Sequence, residues 1–294
     1  MTMSNARQTV VFVGLGAIGL PMAMQLLRAG YDVIGIDISA DRRSDAQRQG
    51  LRAVETLTEA PVSSVAIVMA ATPSQVLAIT TDDDGLFDHL SADSTCIVMS
   101  TVGPAGIECL IEPAARSSIR LIDAPVSGGV SGAESANLVI FAAGNHNDVI
   151  DARDVLGAMG NVRHCGNTPG NGQSLKLVNQ LLCSVHLVAA AESLSFASRL
   201  GLDPAAVLDM VNQGSGASWM LTDRGPDMIA DPDSNSEVAT ALDIFVKDSR
   251  LVAQAARQIG FTAPLLTAAS SAFDSAAAIG LGRLGDFRVK DIYD

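Results

Sequence analysis

The sequence predicts an α/β fold in which a doubly wound parallel sheet is followed by an all-helical domain. Three observations predict it. Short apolar runs alternate with helical patterns over the first half of the chain, as in βαβ units. A glycine-rich turn joins the first strand to the first helix. Beyond residue 165 the pattern is helical only, and 294 residues suffice for two domains, which we place at 1–165 and 166–294.

The elements of the first domain follow from apolar runs, which predict strands, and from helical periodicity. Strands are expected at Thr9–Val13, Asp32–Asp37, Val65–Ala70, Thr95–Ser100, Arg120–Ala124 and Leu138–Ala143. Helices are expected at Ile18–Ala29, Ala40–Gln49, Pro104–Ser117 and Asp148–Met159.

The second domain begins with a long, mostly apolar helix at about 170–200. Because a helix that is hydrophobic on most sides is buried, we expect it to join the two domains as a spine. Further helices are expected at Pro204–Asn212, Glu237–Ile259 and Pro264–Leu281, and no strand is expected after residue 165.

Composition narrows the class of protein. The net charge of -13 disfavours nucleic acid and anionic membrane surfaces as partners. Hydrophobic content of 48% with 17% charged residues favours a globular protein over disorder. The four cysteines have no paired or metal-like spacing, and the polar N-terminus has no signal-peptide core, so we expect a cytoplasmic protein without a metal site.

The glycine turn Gly14-Leu15-Gly16-Ala17-Ile18-Gly19 directly follows the apolar run Val10–Val13. In a dinucleotide-binding corner the first glycine allows a tight turn, the second lets the backbone approach phosphate, and the third lets the helix pack on the strand. The helix N-terminus then faces the pyrophosphate. Strand, turn and helix together predict a Rossmann domain.

Acidic Asp37 ends the second predicted strand, about 20 residues beyond the glycines, where a carboxylate binds the adenosine ribose. A carboxylate there repels a 2′-phosphate and favours NAD over NADP, although the nearby Arg42 and Arg43 weaken this preference. The alternative is that Asp37 only caps a strand. Thr72-Pro73 and Ser100-Thr101 also follow strand ends and are expected to face the cofactor, unless they are ordinary capped turns.

Two later segments carry candidate chemistry. Ser127-Gly128-Gly129 follows a strand, and the exposed N–H groups of such a turn bind anions; a plain surface turn is the alternative. A second glycine-rich loop leads into the long helix and presents Lys176, a lone lysine in an apolar stretch that suits a proton donor and acceptor, unless it extends to solvent. Asn179 and Gln180 share its helix face.

With these motifs the sequence resembles the 3-hydroxyacid (β-hydroxyacid) dehydrogenase superfamily over nearly the whole chain. The motifs occur in family order: Gly14–Gly19 with Pro21-Met22-Ala23, Asp123–Gly129, Gly166–Lys176 with Asn179, and Lys247-Asp248. The resemblance implies that Lys176 is the catalytic acid/base, that Ser127–Gly129 holds a substrate carboxylate, and that Thr101 and Lys247 lie by the cofactor. Without it, Lys247 would be placed on a solvated helix face with Asp243.

One departure from the family is informative. Most members carry Asn where this chain has Gln180, so the pocket should differ. Other segments resemble the L-threonate dehydrogenase branch, which oxidises four-carbon sugar acids with NAD. They are Val178–Leu182 with Val185-His186, Ser218–Met220 and Ala241–Asp248.

The resemblance and the residues together predict NAD-dependent oxidation of a secondary alcohol in a small anionic hydroxy acid, with L-threonate as first choice. The alternatives are a 3-hydroxyisobutyrate dehydrogenase, a tartronate semialdehyde reductase, or a non-catalytic NAD-binding sensor. A homodimer or homotetramer is implied. Substrate-binding residues are expected to be Ser127, Gly128, Gly129, Asn179 and Gln180. Cofactor-binding residues are expected to be Gly14, Gly16, Ala17, Ile18, Gly19, Asp37, Ile38, Thr72, Pro73, Thr101 and Lys247.

Overall fold

A computed structural model describes residues 8–230 and 240–293 of the chain. The chain divides into two compact units, the first ending at Lys176 and the second beginning at Leu177. This division falls inside the long helix, so the domain boundary expected at residue 165 stays a prediction. The first unit contains a nine-stranded sheet, and the second is helical.

The strands of the first unit form one sheet in the order β3-β2-β1-β4-β5-β6-β8-β7, with β9 paired to β8. The pairs from β3 to β6 are parallel, which confirms the doubly wound architecture. The strands are β1 (Thr9–Val13), β2 (Asp32–Ile36), β3 (Arg52–Val54), β4 (Val65–Val68), β5 (Thr95–Val98), β6 (Arg120–Asp123), β7 (Val126–Ser127), β8 (Leu138–Ala143) and β9 (Gly160–Gly166).

The far edge of the sheet differs from the all-parallel prediction. Strand β8 runs antiparallel to both β6 and β7, while β9 is parallel to β8. Only residues 128–137 separate β7 from β8, and a parallel crossover needs a dozen residues or more. The strands β3, β7 and β9 were not predicted, because two are very short and β9 is largely polar and partly exposed.

Thirteen α-helices lie in the described parts of the chain. The first unit contains α1 (Gly19–Arg28), α2 (Ala40–Arg48), α3 (Pro73–Thr81), α4 (Leu86–His89), α5 (Gly103–Arg116), α6 (Gly129–Glu134), α7 (His146–Asp151) and α8 (Arg153–Gly157), and α9 (Asn171–Arg199) continues into the second. The second unit adds α10 (Pro204–Asn212), α11 (Trp219–Ile229), α12 (Leu242–Gln258) and α13 (Pro264–Ala278).

Two helix predictions need correction, and the helices α4, α6 and α11 were not predicted. The single helix expected at Asp148–Met159 is two short helices that meet at Ala152. The helix expected at Glu237–Ile259 begins at Leu242, after the N-cap residue Ala241; residues 237–239 lie outside the described residues. Helix α11 was not expected, because Pro226 interrupts its pattern.

The core explains why the strands have these sequences. Alternate residues of β1 pack on opposite faces of the sheet, Val10 and Phe12 on one and Val11 and Val13 on the other. Such two-sided burial is typical of a sheet covered by helices on both faces.

Helix α9, with 29 residues, is long and apolar enough to cross a membrane by length and composition alone. Its residues Leu187, Ala191 and Leu194, however, belong to the hydrophobic core of the second unit. There they join the core that also contains Phe245 and Phe273. We therefore describe α9 as a core helix of this fold.

Candidate active site

The glycine turn between β1 and α1 has two glycines that the fold requires and one that it does not. Gly14 has a φ of +100°, and a Cβ there would lie 2.2 Å from the carbonyl oxygen of Met69. A Cβ on Gly19 would lie 2.0 Å from the carbonyl oxygen of Gly14. Gly16, in contrast, faces open space with no atom within 4 Å of such a Cβ. The turn therefore leaves room for a phosphate beside Gly16, which fits a dinucleotide.

Asp37 follows β2 and is tied to the glycine turn. Its Oδ2 accepts a hydrogen bond from the N–H of Leu15 at 2.8 Å, and its Oδ1 accepts one from the N–H of Ser39 at 2.8 Å. The residue remains partly exposed, and the next side chain, Ile38, is 85% exposed. The carboxylate thus shapes the turn while keeping a face accessible to a ribose.

The two arginines near Asp37 differ in their freedom. Arg43 donates from Nη1 to the carbonyl oxygen of Asp37 at 2.9 Å and from Nη2 to Oε2 of Glu55 at 2.7 Å. These bonds hold its guanidinium in the turn after β2. Arg42 is exposed, and its backbone N–H donates to the Ser39 hydroxyl that caps α2.

Two further loops lie at the same edge of the sheet, after β4 and β5. Thr72 caps α3: its hydroxyl accepts from the N–H of Gln75 at 3.2 Å, and Gln75 Oε1 accepts from the Thr72 N–H at 3.1 Å. Pro73 is the first residue of α3. A capped turn therefore accounts for both residues without a ligand, and their cofactor role stays a prediction. Thr101, after β5, is partly buried.

Asp123, the last residue of β6, caps the N-terminus of α9. Its Oδ1 accepts from the N–H of Gly170 and its Oδ2 from the N–H of Gln173, both at 2.7 Å, and the residue is fully buried. Burial raises the pKa of Asp123 to about 6, although the backbone N–H donors oppose this rise. The Asp123 carboxyl group thus caps the positive N-terminal end of a 29-residue helix.

Gln173, in the first turn of α9, joins this helix to the loop after β5 and is fully buried. Its Oε1 accepts from the N–H groups of Val102 and Gly103, each at 3.0 Å, and its Nε2 donates to the carbonyl oxygen of Ser100 at 2.9 Å. Neither this residue nor Asp123 was singled out from the sequence as a site residue. The only local signal is their place within the two glycine-containing motifs.

The turn and the lysine expected to carry the chemistry both belong to the first unit. Strand β7 ends at Ser127. Gly128, with a φ of +127°, precedes α6, and Gly129, with a φ of +63°, is its first residue. Lys176 lies in the second turn of α9 and is only 7% exposed. It does not extend to solvent as a surface lysine would.

In the second unit, Gln180 and Lys247 meet at Asp248, which is 2% exposed. Gln180 Nε2 donates to Asp248 Oδ2 at 2.5 Å, and Lys247 Nζ lies 2.9 Å from Asp248 Oδ1. Asn179 Nδ2 in turn donates to Gln180 Oε1 at 2.9 Å. Lys247 is therefore ion-paired with its neighbour Asp248.

The parallel sheet and the glycine turn define a dinucleotide-binding Rossmann domain. Residues 9–168 match the family described as the NAD binding domain of 6-phosphogluconate dehydrogenase, and residues 170–289 match the one described as NAD-binding of NADP-dependent 3-hydroxyisobutyrate dehydrogenase. The chain thus belongs to the 3-hydroxyacid dehydrogenase family and is an NAD-dependent oxidoreductase of hydroxy acids.

Known relatives cover nearly the whole chain. It is 31% identical over 287 residues to the L-threonate dehydrogenase of Escherichia coli K12, covering 97% of this chain and 94% of that protein. It is 33% identical over 285 residues to the L-threonate dehydrogenase of Cupriavidus necator, covering 96% and 94%. A crystal structure of a 3-hydroxyisobutyrate dehydrogenase from Salmonella typhimurium is similar with a TM-score of 0.89 at 31% identity, covering 97% of this chain and 99% of the other.

Proposed function

We propose that the protein oxidises the secondary alcohol of a four-carbon sugar acid, L-threonate, to the 2-keto acid with NAD. The observation that carries this proposal is the burial of Lys176, which is 7% exposed on the helix that Asp123 caps. A buried lysine at a helix start in a dehydrogenase fold is suited to exchanging a proton with an alcohol.

The fold supports placing Lys176 near the Ser127–Gly129 turn, because Asp123 is linked to both. The turn begins only four residues after Asp123, so no more than about 15 Å of chain separates them. Lys176 follows Gln173, whose N–H bonds to the Asp123 carboxyl group, by three residues, or about 4.5 Å along the helix axis. Asp123 thus links both parts of the proposed site: its carboxyl group binds the start of α9, and its backbone leads to the turn.

In the proposed reaction the substrate carboxylate accepts hydrogen bonds from the Ser127–Gly129 turn. Lys176 Nζ takes the proton of the substrate hydroxyl while the same carbon loses its hydride, and in the reverse direction it returns the proton to the carbonyl oxygen. NAD, when bound, supplies the hydride acceptor. We place it along Gly14, Gly16, Ala17, Ile18 and Gly19, with Asp37 and Ile38 at the adenosine, and with Thr72, Pro73, Thr101 and Lys247 near the remainder.

We infer a preference for NAD over NADP from the contacts around Asp37. Its carboxylate would face a 2′-phosphate, and Arg43 is held by Glu55 at 2.7 Å and is thus not available to neutralise it. Comparing kcat/KM with the two cofactors tests this preference.

The choice of substrate rests on Gln180 and on the relatives named L-threonate dehydrogenase. The alternative substrates are 3-hydroxyisobutyrate and tartronate semialdehyde. The similarity to the Salmonella 3-hydroxyisobutyrate dehydrogenase supports the first of these. Initial rates with NAD on L-threonate, on 3-hydroxyisobutyrate and on glycerate, which is the reduced form of tartronate semialdehyde, distinguish them. Higher kcat/KM for 3-hydroxyisobutyrate than for L-threonate would reject the proposed substrate.

The role of Lys176 is tested by Lys176→Ala. We expect turnover to fall by about two to four orders of magnitude, because general acid–base catalysis is worth that much, while the Kd for NAD changes little. Unchanged turnover would refute the role. Retained NAD binding in the wild type without turnover of any acid would instead favour an NAD-binding sensor.

We further propose that the protein is a homodimer or homotetramer in the cytoplasm. Several large apolar side chains of the second unit are more than 60% exposed: Phe196, Met210, Ile259, Leu265 and Ile279. Their number supports an interface between copies of the chain. All four cysteines are free thiols, as expected in a reducing compartment. Light scattering after gel filtration tests the assembly, and a monomer at micromolar concentration would contradict it.

A further inference from the structure

The loop after β5 and the start of α9 are joined through one side chain. The loop contains Ser100, Thr101, Val102 and Gly103, and the amide of Gln173 bonds to three of these four residues. Its oxygen accepts two N–H groups and its nitrogen donates to a carbonyl oxygen, so the amide is oriented in a single way. A fully buried amide with three partners of this kind fixes both segments relative to each other.

Gln173 is close to Lys176 on α9, so the link to the loop after β5 also bears on the position of Lys176. The two residues are three apart on α9 and therefore lie on the same side of the helix. The backbone N–H of Gln173 also donates to Asp123 at 2.7 Å. The helix start is thus held at two points, by Asp123 at the end of β6 and by the Gln173 amide at the end of β5.

We infer that Gln173 is a positioning residue, whose side-chain amide sets the distance between the loop that carries Thr101 and the helix that carries Lys176. This inference rests on the proposed function, in which Lys176 moves the proton and Thr101 lies by the cofactor. Gln173 itself touches neither reacting atom. It acts by fixing the loop beside the hydride acceptor, NAD, relative to the helix that carries the proton acceptor, Lys176, since small displacements of reacting groups are costly in rate.

The variant Gln173→Met keeps the length of the side chain and removes all three hydrogen bonds. We expect kcat to fall by about ten- to a hundredfold, because the hydrogen bonds that fix the helix relative to the loop are lost. The Kd for NAD should change by less than about threefold, since the glycine turn is untouched.

Ser63→Ala is the matched control. The Ser63 hydroxyl is also buried and also has three backbone partners: it lies 2.7 Å from the carbonyl oxygen of Thr9, 2.9 Å from that of Val65, and 3.2 Å from the N–H of Val65. It lies before β4, at the opposite edge of the sheet from the site. Its loss should lower the melting temperature as Gln173→Met does, while kcat stays within about twofold of the wild type.

The variant Gln173→Glu adds a readout that a merely structural role would not move. A neutral carboxylic acid accepts from the Val102 and Gly103 N–H groups and donates to the Ser100 carbonyl oxygen, whereas the ionised form has no donor and repels that oxygen. The ratio of the variant's kcat to that of the wild type should therefore rise by about tenfold from pH 8 to pH 6, because burial raises the pKa of an introduced carboxyl group.

The assay uses whichever hydroxy acid of the substrate panel the wild type oxidises fastest. Equal effects of Gln173→Met and Ser63→Ala on kcat, or a Gln173→Glu ratio that does not change with pH, would overturn the inference. If Lys176→Ala is inactive in the same assay, such a result refutes the role of Gln173 alone. If Lys176→Ala is fully active, the proposed function has failed, whatever the Gln173 variants do.

Discussion

The buried carboxyl group of Asp123 should make the stability of the first unit fall as the pH rises from about 4 to about 6. Burial raises the folded-state pKa from 3.8 to about 6, so the folded protein binds a proton that the unfolded chain has already released. The corresponding stabilisation is present in full below pH 4 and is lost as the pH passes through the folded-state pKa. At about 1.36 kcal/mol per pKa unit, the total change is about 3 kcal/mol.

The variant Asp123→Asn isolates this contribution. Its amide has the same shape but does not titrate, and its Nδ2 faces one of the two N–H donors, Gly170 or Gln173. That mismatch costs about 1–3 kcal/mol at every pH. The informative quantity is therefore the change with pH in the difference between wild type and variant. Burial raises the pKa of Asp286 to about 6 as well, but that group is present in both proteins and its effect cancels.

The assay is urea unfolding of both proteins followed by far-UV circular dichroism at pH 4, 5, 6 and 7. We expect the advantage of the wild type over Asp123→Asn to be about 2 kcal/mol larger at pH 4 than at pH 7, most of the total change. A difference that is flat over this range, or one that grows with pH, would refute the reasoning. Growth with pH would mean that the N–H donors and the positive end of α9 outweigh the desolvation of the carboxylate.

Two further predictions concern the glycine turn and the Gln180 network. Gly14→Ala should lower the free energy of unfolding by at least about 3 kcal/mol, since it combines an unfavourable φ with a Cβ 2.2 Å from a carbonyl oxygen. Gly16→Ala should have the melting temperature of the wild type, because its Cβ meets no atom, but calorimetry should show NAD binding at least about tenfold weaker. Equal NAD affinity in Gly16→Ala would contradict the phosphate position. Gln180→Asn should lose its bond to the buried Asp248 and about 1–3 kcal/mol in urea unfolding, while the exposed control Gln254→Asn should be neutral; equal effects of the two would contradict the role of the bond.

The glycine turn could be predicted from the sequence because its requirements are local. A Cβ on Gly14 or Gly19 would contact nearby backbone carbonyl oxygens, and the strand and helix around these glycines have distinct periodicities. The far edge of the sheet could not be predicted in this way. Strand β9 is polar and partly exposed, and its pairing with β8 depends on tertiary contact rather than on an apolar run.

The hydrogen bonds that hold the candidate site could not be predicted from local sequence patterns for the same reason. Asp123 and Gln173 are 50 residues apart, and Gln180 and Asp248 are 68 apart. A sequence pattern identifies Lys176 as an unusual charge in an apolar helix, but which side chains bury it and hold its helix is fixed only when distant strands meet. The residue types are visible in the sequence, and their pairing is a property of the fold.

The chain is strongly negative, and the ligands that we propose for it are negative as well. A net charge of -13 repels both a dinucleotide and a hydroxy acid at long range. Two of the basic side chains considered for these ligands are already ion-paired, however, Arg43 with Glu55 and Lys247 with Asp248. We propose that the attraction comes instead from short-range donors, the backbone N–H groups at the glycine turn and at the Ser127–Gly129 turn, which bind anions without adding net charge. The proposed preference for NAD uses the same arrangement, because N–H groups bind a pyrophosphate while Asp37 repels a 2′-phosphate and Arg43 is engaged by Glu55.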